Sequence, residues 1–197
     1  MTPSALYFAV TLVAAAARLD DVPPAAAVLR QDPPVNADAH TMAEFTKRVA
    51  EYAALHNKIA SALPKLPVKA TPAEIDANQR AFAAQLAAAR AGARQGDLFT
   101  PEMQALVRKL LTGLFKTSEA RAQLRASVMD ENPTTVKVAV NSRYPDAVPI
   151  STMPPEILKS LPLLPEDLEY RFVGETLILL DPDAHIVADF VPRALPR

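Results

Sequence analysis

"EYRFVGETLILLDPDAHIVADFVP" (Glu169–Pro192) decides the architecture. Apolar residues fill positions 177–180 without a break, and Asp181, Pro182 and Asp183 interrupt them. Asp181 suits the start of a turn, Pro182 its second position and Asp183 the third. The pattern predicts strands over Tyr170–Val173, Thr176–Asp181 and Ile186–Pro192, with Gly174 in the first turn. Hairpin loops of the second turn's length often end on a left-handed residue; Ala184 or His185 must serve, and His is the better suited. An exposed hairpin alternates apolar and polar residues. Leu177–Leu180 does not, so this strand is expected to be covered on both faces by helices and by the proline-rich segment before it.

Upstream the chain reads as helices. Met42, Phe45, Val49, Tyr52, His56, Ile59 and Leu63 recur at spacings of three and four, one face of a helix ended by Pro64 and Pro67. "TPAE" (Thr71–Glu74) starts a second helix: Thr71 caps, Pro72 takes the first position and Glu74 completes a capping box. Its stripe runs from Ile75 through Phe82 and Leu86 to Ala93, with Gly92 and Gly96 at its end. Thr100 and Pro101 open a third, widely apolar helix, and Thr117-Ser118 a fourth that stops at Asn132-Pro133. Seven prolines then punctuate residues 131–165, where "TVKVAV" (Thr135–Val140) alternates like a strand and "PPEILKSL" (Pro154–Leu161) starts like a short helix. The expected fold is mainly α with a small C-terminal β element (α+β).

The length, 197 residues with half of them hydrophobic, fits one domain with a real core. The absence of Cys excludes disulfides, thiolate metal sites and Cys nucleophiles. Net charge is −1, which gives no overall attraction to nucleic acid or to an anionic membrane. Residues 38–130 carry 13 Lys/Arg against 9 Asp/Glu, and residues 131–197 carry 6 against 10, so the two parts attract each other weakly. "ALYFAVTLVAAAA" (Ala5–Ala17) spans about 20 Å as a helix, short of the roughly 30 Å of a bilayer core. It fits a signal-peptide core followed by a small-x-small cleavage pattern, although no Lys or Arg precedes it. The expected organisation is a signal peptide over residues 1–17, a flexible Ala/Pro-rich leader over 18–39, and one domain over 40–197. That domain divides into helices (40–131), a proline-rich crossing (132–168) and a hairpin (169–192). No stable membrane anchor remains after cleavage, and the expected location is periplasmic or secreted.

Val140–Pro192 resembles the C-terminal half of uncharacterised exported bacterial proteins with a YRFVG…LIL.D…IVDF.P ending. The matching residues are Tyr170, Arg171, Phe172, Val173, Gly174, Leu177, Ile178, Leu179, Asp181, Ile186, Val187, Asp189 and Phe190, and Ala188 is an insertion relative to that ending. The "LFTPEMQ" helix start (Leu98–Gln104) resembles theirs too. The resemblance implies export and the helices-then-hairpin order, and supplies no catalytic residue. The hairpin alone is also similar to those of periplasmic nickel/cobalt-efflux accessory proteins, a pattern too generic to imply that function.

Candidate site residues are few. Asp181, Asp183 and His185 alternate as D-x-D-x-H, and carboxylate and imidazole suit hard or borderline cations. Turn chemistry accounts for the same residues. His40 and Glu44 sit four apart on a helix face, and two ligands do not close a metal site. His56 lies on the first helix's apolar stripe, as a satisfied core histidine that becomes pH-sensitive if buried. Glu166, Asp167 and Glu169 read as a solvated acidic run. The hydrolase elbow, phosphate loop, zinc-protease motif and dinucleotide fingerprint are all missing. The sequence therefore favours a non-enzymatic binding or accessory protein of the cell envelope, with an envelope protein as partner, no nucleic acid and no cofactor. The alternatives are a periplasmic metal- or small-ligand-binding protein, and a hydrolase with no recognisable motif.

Overall fold

Two hydrophobic clusters sandwich a three-stranded sheet, and the position of that sheet organises the chain. The structure, a computed structural model, describes residues 36–131, 137–145 and 152–196. The predicted signal peptide and the leader up to residue 35 lie outside the described residues.

Five helices precede the sheet: α1 (Ala37–Ala62), α2 (Pro72–Ala89), α3 (Pro101–Leu114), α4 (Ser118–Glu131) and α5 (Pro155–Ser160). Their starts follow local chemistry. Asn36 accepts from the Asp38 N–H at the start of α1, so the helix takes up the last residues assigned to the leader. Thr71 and Glu74 form the reciprocal capping box of α2. Thr100 caps α3 through the Met103 N–H, and Pro101 follows it. Helix α2 is shorter than its apolar stripe suggests. It ends at Ala89, and residues 90–99 form a loop that reaches Asp189 of the sheet.

The sheet is an antiparallel meander of β1 (Glu169–Val173), β2 (Thr176–Asp181) and β3 (Ile186–Val191). Alternation sends Leu177 and Leu179 into the large helical cluster with Phe45, Phe99, Met103 and Leu111. Ile178 and Leu180 enter a second cluster with Tyr144, Val173 and Val187. The unbroken Leu177–Leu180 run is therefore buried on both faces, by helices on one side and by the proline-rich crossing on the other.

The crossing pairs with the sheet later than its alternation suggests. Residues 137–140 of the expected Thr135–Val140 strand are not a strand. The contact is made by Asn141–Tyr144 instead: Asn141 and Tyr144 donate N–H groups to Val187 and His185 carbonyls, and the Val187 N–H donates to Ser142. Asn141 takes φ 60°, a left-handed turn that brings the chain alongside β3.

A bulge separates the two ends of β3. Leu179 pairs with Asp189 and Leu180 with Val187, so Ala188 is the extra residue. Ala188 packs into the helical cluster, and Asp189 turns the same way to reach the loop after α2. One inserted residue thus sends two consecutive side chains to one face. Leu179→Ala should cost about 2–5 kcal/mol, whereas the exposed Leu163→Ala should stay within about 0.5 kcal/mol. Urea denaturation measures both.

Candidate functional site

Among the described residues the buried side chains that are polar or charged are His56, Asp181 and Asp189, and each sits at a junction. Helix α1 presents Tyr52 and His56 one turn apart on its buried face. The end of β2 brings Asp181 against them. Asp181 Oδ2 accepts from the Tyr52 hydroxyl at 2.8 Å and pairs with His56 Nδ1 at 2.7 Å. Its Oδ1 accepts from the Ala184 N–H at 2.8 Å, which closes the predicted turn. His185 ends that turn at φ 54°, in the left-handed region.

The far nitrogen of His56 faces two more carboxylates. Nε2 lies 3.4 Å from Asp167 Oδ1 and 3.7 Å from Asp183 Oδ2. The Phe82 ring of α2 meets the imidazole edge-on at 4.7 Å. Burial favours the neutral ring, but the hydrogen bond to Asp181 and the charges of Asp181, Asp167 and Asp183 outweigh it and hold the His56 pKa above its usual 6.5. Burial, with the Asp181 charge, pushes the Tyr52 phenol far above its ordinary range, so it remains a neutral donor. Asp167 also accepts from Asn57 Nδ2 at 3.1 Å. It is a working partner of His56, which corrects the reading of Glu166–Glu169 as wholly solvated.

Asp189 forms the second junction. Gly96 takes φ 98° and turns the loop so that the N–H groups of Gly96, Leu98 and Phe99 converge on the carboxylate, with the last two at 2.8 Å. Phe190 adds a fourth donor. Burial pushes this carboxyl above the usual range, and the four N–H groups pull against the shift. Beside it, the Arg90 guanidinium donates to Asn141 Oδ1 at 2.7 Å and to the carbonyl of the bulge residue Ala188 at 2.9 Å. Its Cζ sits 4.8 Å from the centre of the Tyr52 ring. Arg90 ties α2, the crossing, the bulge and α1 together.

The five metal candidates do not converge. Asp181 serves Tyr52, His56 and its turn, while His185 meets the Tyr144 ring edge-on at 5.7 Å, on the face away from the helices. His40 is exposed near the start of α1, about 24 Å along the axis from His56. Glu44 lies one turn from His40, at the same end. Among the described residues no group of three or more His, Cys, Asp or Glu is placed to hold a metal ion. Sequence reasoning identified His56 as a core residue and Asp181 as a turn residue, and missed that each is the other's partner.

A cleft of about 400 Å³ opens beside this cluster, lined by Leu63, Leu66, Ile75, Phe82, Pro182 and Asp183. Phe82 and Asp183 line it and also meet His56, which is not part of its lining. Comparison with protein-family models, with curated proteins and with solved structures finds no match to this chain.

The cluster sets a pH dependence with a definite sign. A histidine whose folded pKa is raised stabilises the fold fully below pH 6.5, and that contribution is lost as pH rises through the folded value. His56→Gln should cost about 3 kcal/mol or more at pH 6, and the gap to wild type should narrow as pH rises from 6.5 through the folded value. Urea denaturation of both proteins across that range checks it. Asp189→Ala, which abandons four N–H donors, those of Leu98 and Phe99 buried, should cost several kcal/mol in urea denaturation.

Proposed function

We propose that this chain is a non-enzymatic binding or accessory protein of the bacterial cell envelope, periplasmic or secreted, that works through its surface. The supporting observation is how its polar groups are used. Asp181 and Asp189 are fully buried and hold three and four donors within the fold. His56 is 2% exposed, and its ring faces Asp181, Asp167, Asp183 and Phe82. An acid–base residue has to reach a substrate within hydrogen-bond distance in a cleft, and these three do not. Apolar side chains, by contrast, stand in solvent beside two concave surfaces. Leu66 and Ile75 flank the cleft near Phe82, and Leu158 and Leu163 flank a groove of about 300 Å³ along β1.

Export is carried by the apolar run Ala5–Ala17 and its small-x-small pattern. Two measurements test the reading. N-terminal sequencing of the protein expressed in a bacterial host should show processing after Ala16 or Ala17. Crosslinking in intact cells, read by mass spectrometry, should recover a reproducible partner through residues around Leu66 or Leu163. An unprocessed chain confined to the cytoplasm, or crosslinks without a reproducible partner, would contradict it.

A further inference from the structure

The α1–α2 connection carries side chains that the fold does not explain. Residues 64–69, "PKLPVK", are all exposed. The Ala70 N–H donates to the Pro67 carbonyl at 3.0 Å, closing a turn with Val68 and Lys69 at its corners. Corner positions of turns favour Gly, Asn, Asp and Ser. Val68 occupies one instead and is 104% exposed, as much as in an extended peptide. Leu66, two residues earlier, is 42% exposed. Pro64 and Pro67 restrict the backbone, and Asn78 Nδ2 donates to the Pro64 carbonyl at 3.1 Å, tying the connection to α2. The tip is held out with its apolar residues in water.

Its charge is equally one-sided. Between Lys58 and Ile75 the chain carries Lys58, Lys65 and Lys69 against Glu74 alone. The Glu74 carboxylate is engaged by the N–H and hydroxyl of Thr71 in the capping box. Asp183 lines the same cleft as Lys65 and Leu66, and Val68 and Lys69 lie outside that lining. At the tip itself, Lys65 and Lys69 flank Leu66 and Val68 with no acid among residues 63–70.

We infer that this tip docks on an anionic lipid surface, with Val68 and Leu66 entering the headgroup–acyl boundary and Lys65 and Lys69 meeting the lipid phosphates. A projecting corner suits a flat, fluid surface, because no shape-matched groove is needed. Amphipathic contact of this kind combines apolar burial with electrostatic attraction, and neither part is strong alone. Docking is weak and reversible, and no helix among the described residues is long and apolar enough to cross a membrane. The inference rests on the envelope reading only in setting the domain beside a membrane; vesicle binding can fail while export and partner crosslinking hold, and the reverse.

The test is co-sedimentation of the full chain with vesicles of phosphatidylcholine and of equimolar phosphatidylcholine and phosphatidylglycerol. Each lysine near an anionic surface is worth about five-fold in partitioning. Wild type should therefore bind anionic vesicles at least ten-fold better, K65E/K69E should lose about 25-fold or more, and added salt should erase the lipid preference. L66S/V68S should lose about ten-fold at any salt. The chain processed after Ala17 is run beside the full chain, so that binding through the residue 5–17 run is read separately from binding through the tip. These positions are exposed, so thermal midpoints should stay unchanged and confirm intact folds. Equal partitioning onto both vesicle types, or variants that sediment like wild type, would overturn the inference. So would a photocrosslinker at position 68 that captures protein and no lipid.

Discussion

The Asp181 carboxylate is the constraint around which the domain is arranged. A carboxylate with no exposure loses its hydration, a cost of several kcal/mol, and is tolerated only where donors replace the water. Its donors come from Tyr52, His56 and Ala184. The end of β2 therefore sits where α1 presents Tyr52 and His56, one turn apart. Strand alternation does the rest: with Asp181 facing α1, Leu179 and Leu177 face the helices, and Leu180 and Ile178 face the crossing. His56 extends the constraint by drawing in Asp167 from before β1 and Asp183 from the turn after β2.

Asp189 repeats the principle on β3, opposite Leu179, with backbone donors in place of side chains. The bulge at Ala188 turns Asp189 toward the loop after α2, and that loop is shaped to receive it. Arg90 links the two junctions, reaching the bulge carbonyl with its guanidinium while lying over the ring of Tyr52. Breaking one member leaves others buried without partners, so the polar core acts as a unit.

What the sequence made legible was local. Thr71-Pro72-Glu74 and Thr100-Pro101 each contain their own cap, so α2 and α3 begin where their chemistry says. Asp181-Pro182-Asp183 contains its own turn, and His185 takes the left-handed position expected of it. The two-sided burial of Leu177–Leu180 was readable because four apolar residues in a row have no polar face to show. What escaped was long-range. Asp181 and His56 are 125 residues apart, and nothing near either names the other. The available clue was paired: a histidine on an apolar stripe, and an aspartate closing an unbroken apolar strand. Each needs a partner, and each could supply one. The bulge was visible only as an inserted Ala188, and the pairing of Asn141–Tyr144 with β3 depends on a left-handed asparagine that alternation does not register.

Nitrogen-15 NMR of the histidine side chains, with His56→Gln to assign the signal, reads the central pair directly. The Asp181–His56 account predicts that at pH 6.5 His56 is mainly an imidazolium. Both ring nitrogens then carry protons, and the Nδ1 proton exchanges slowly with solvent because it is shared with buried Asp181. A neutral ring at that pH, with one unprotonated nitrogen and fast exchange at the other, would contradict it.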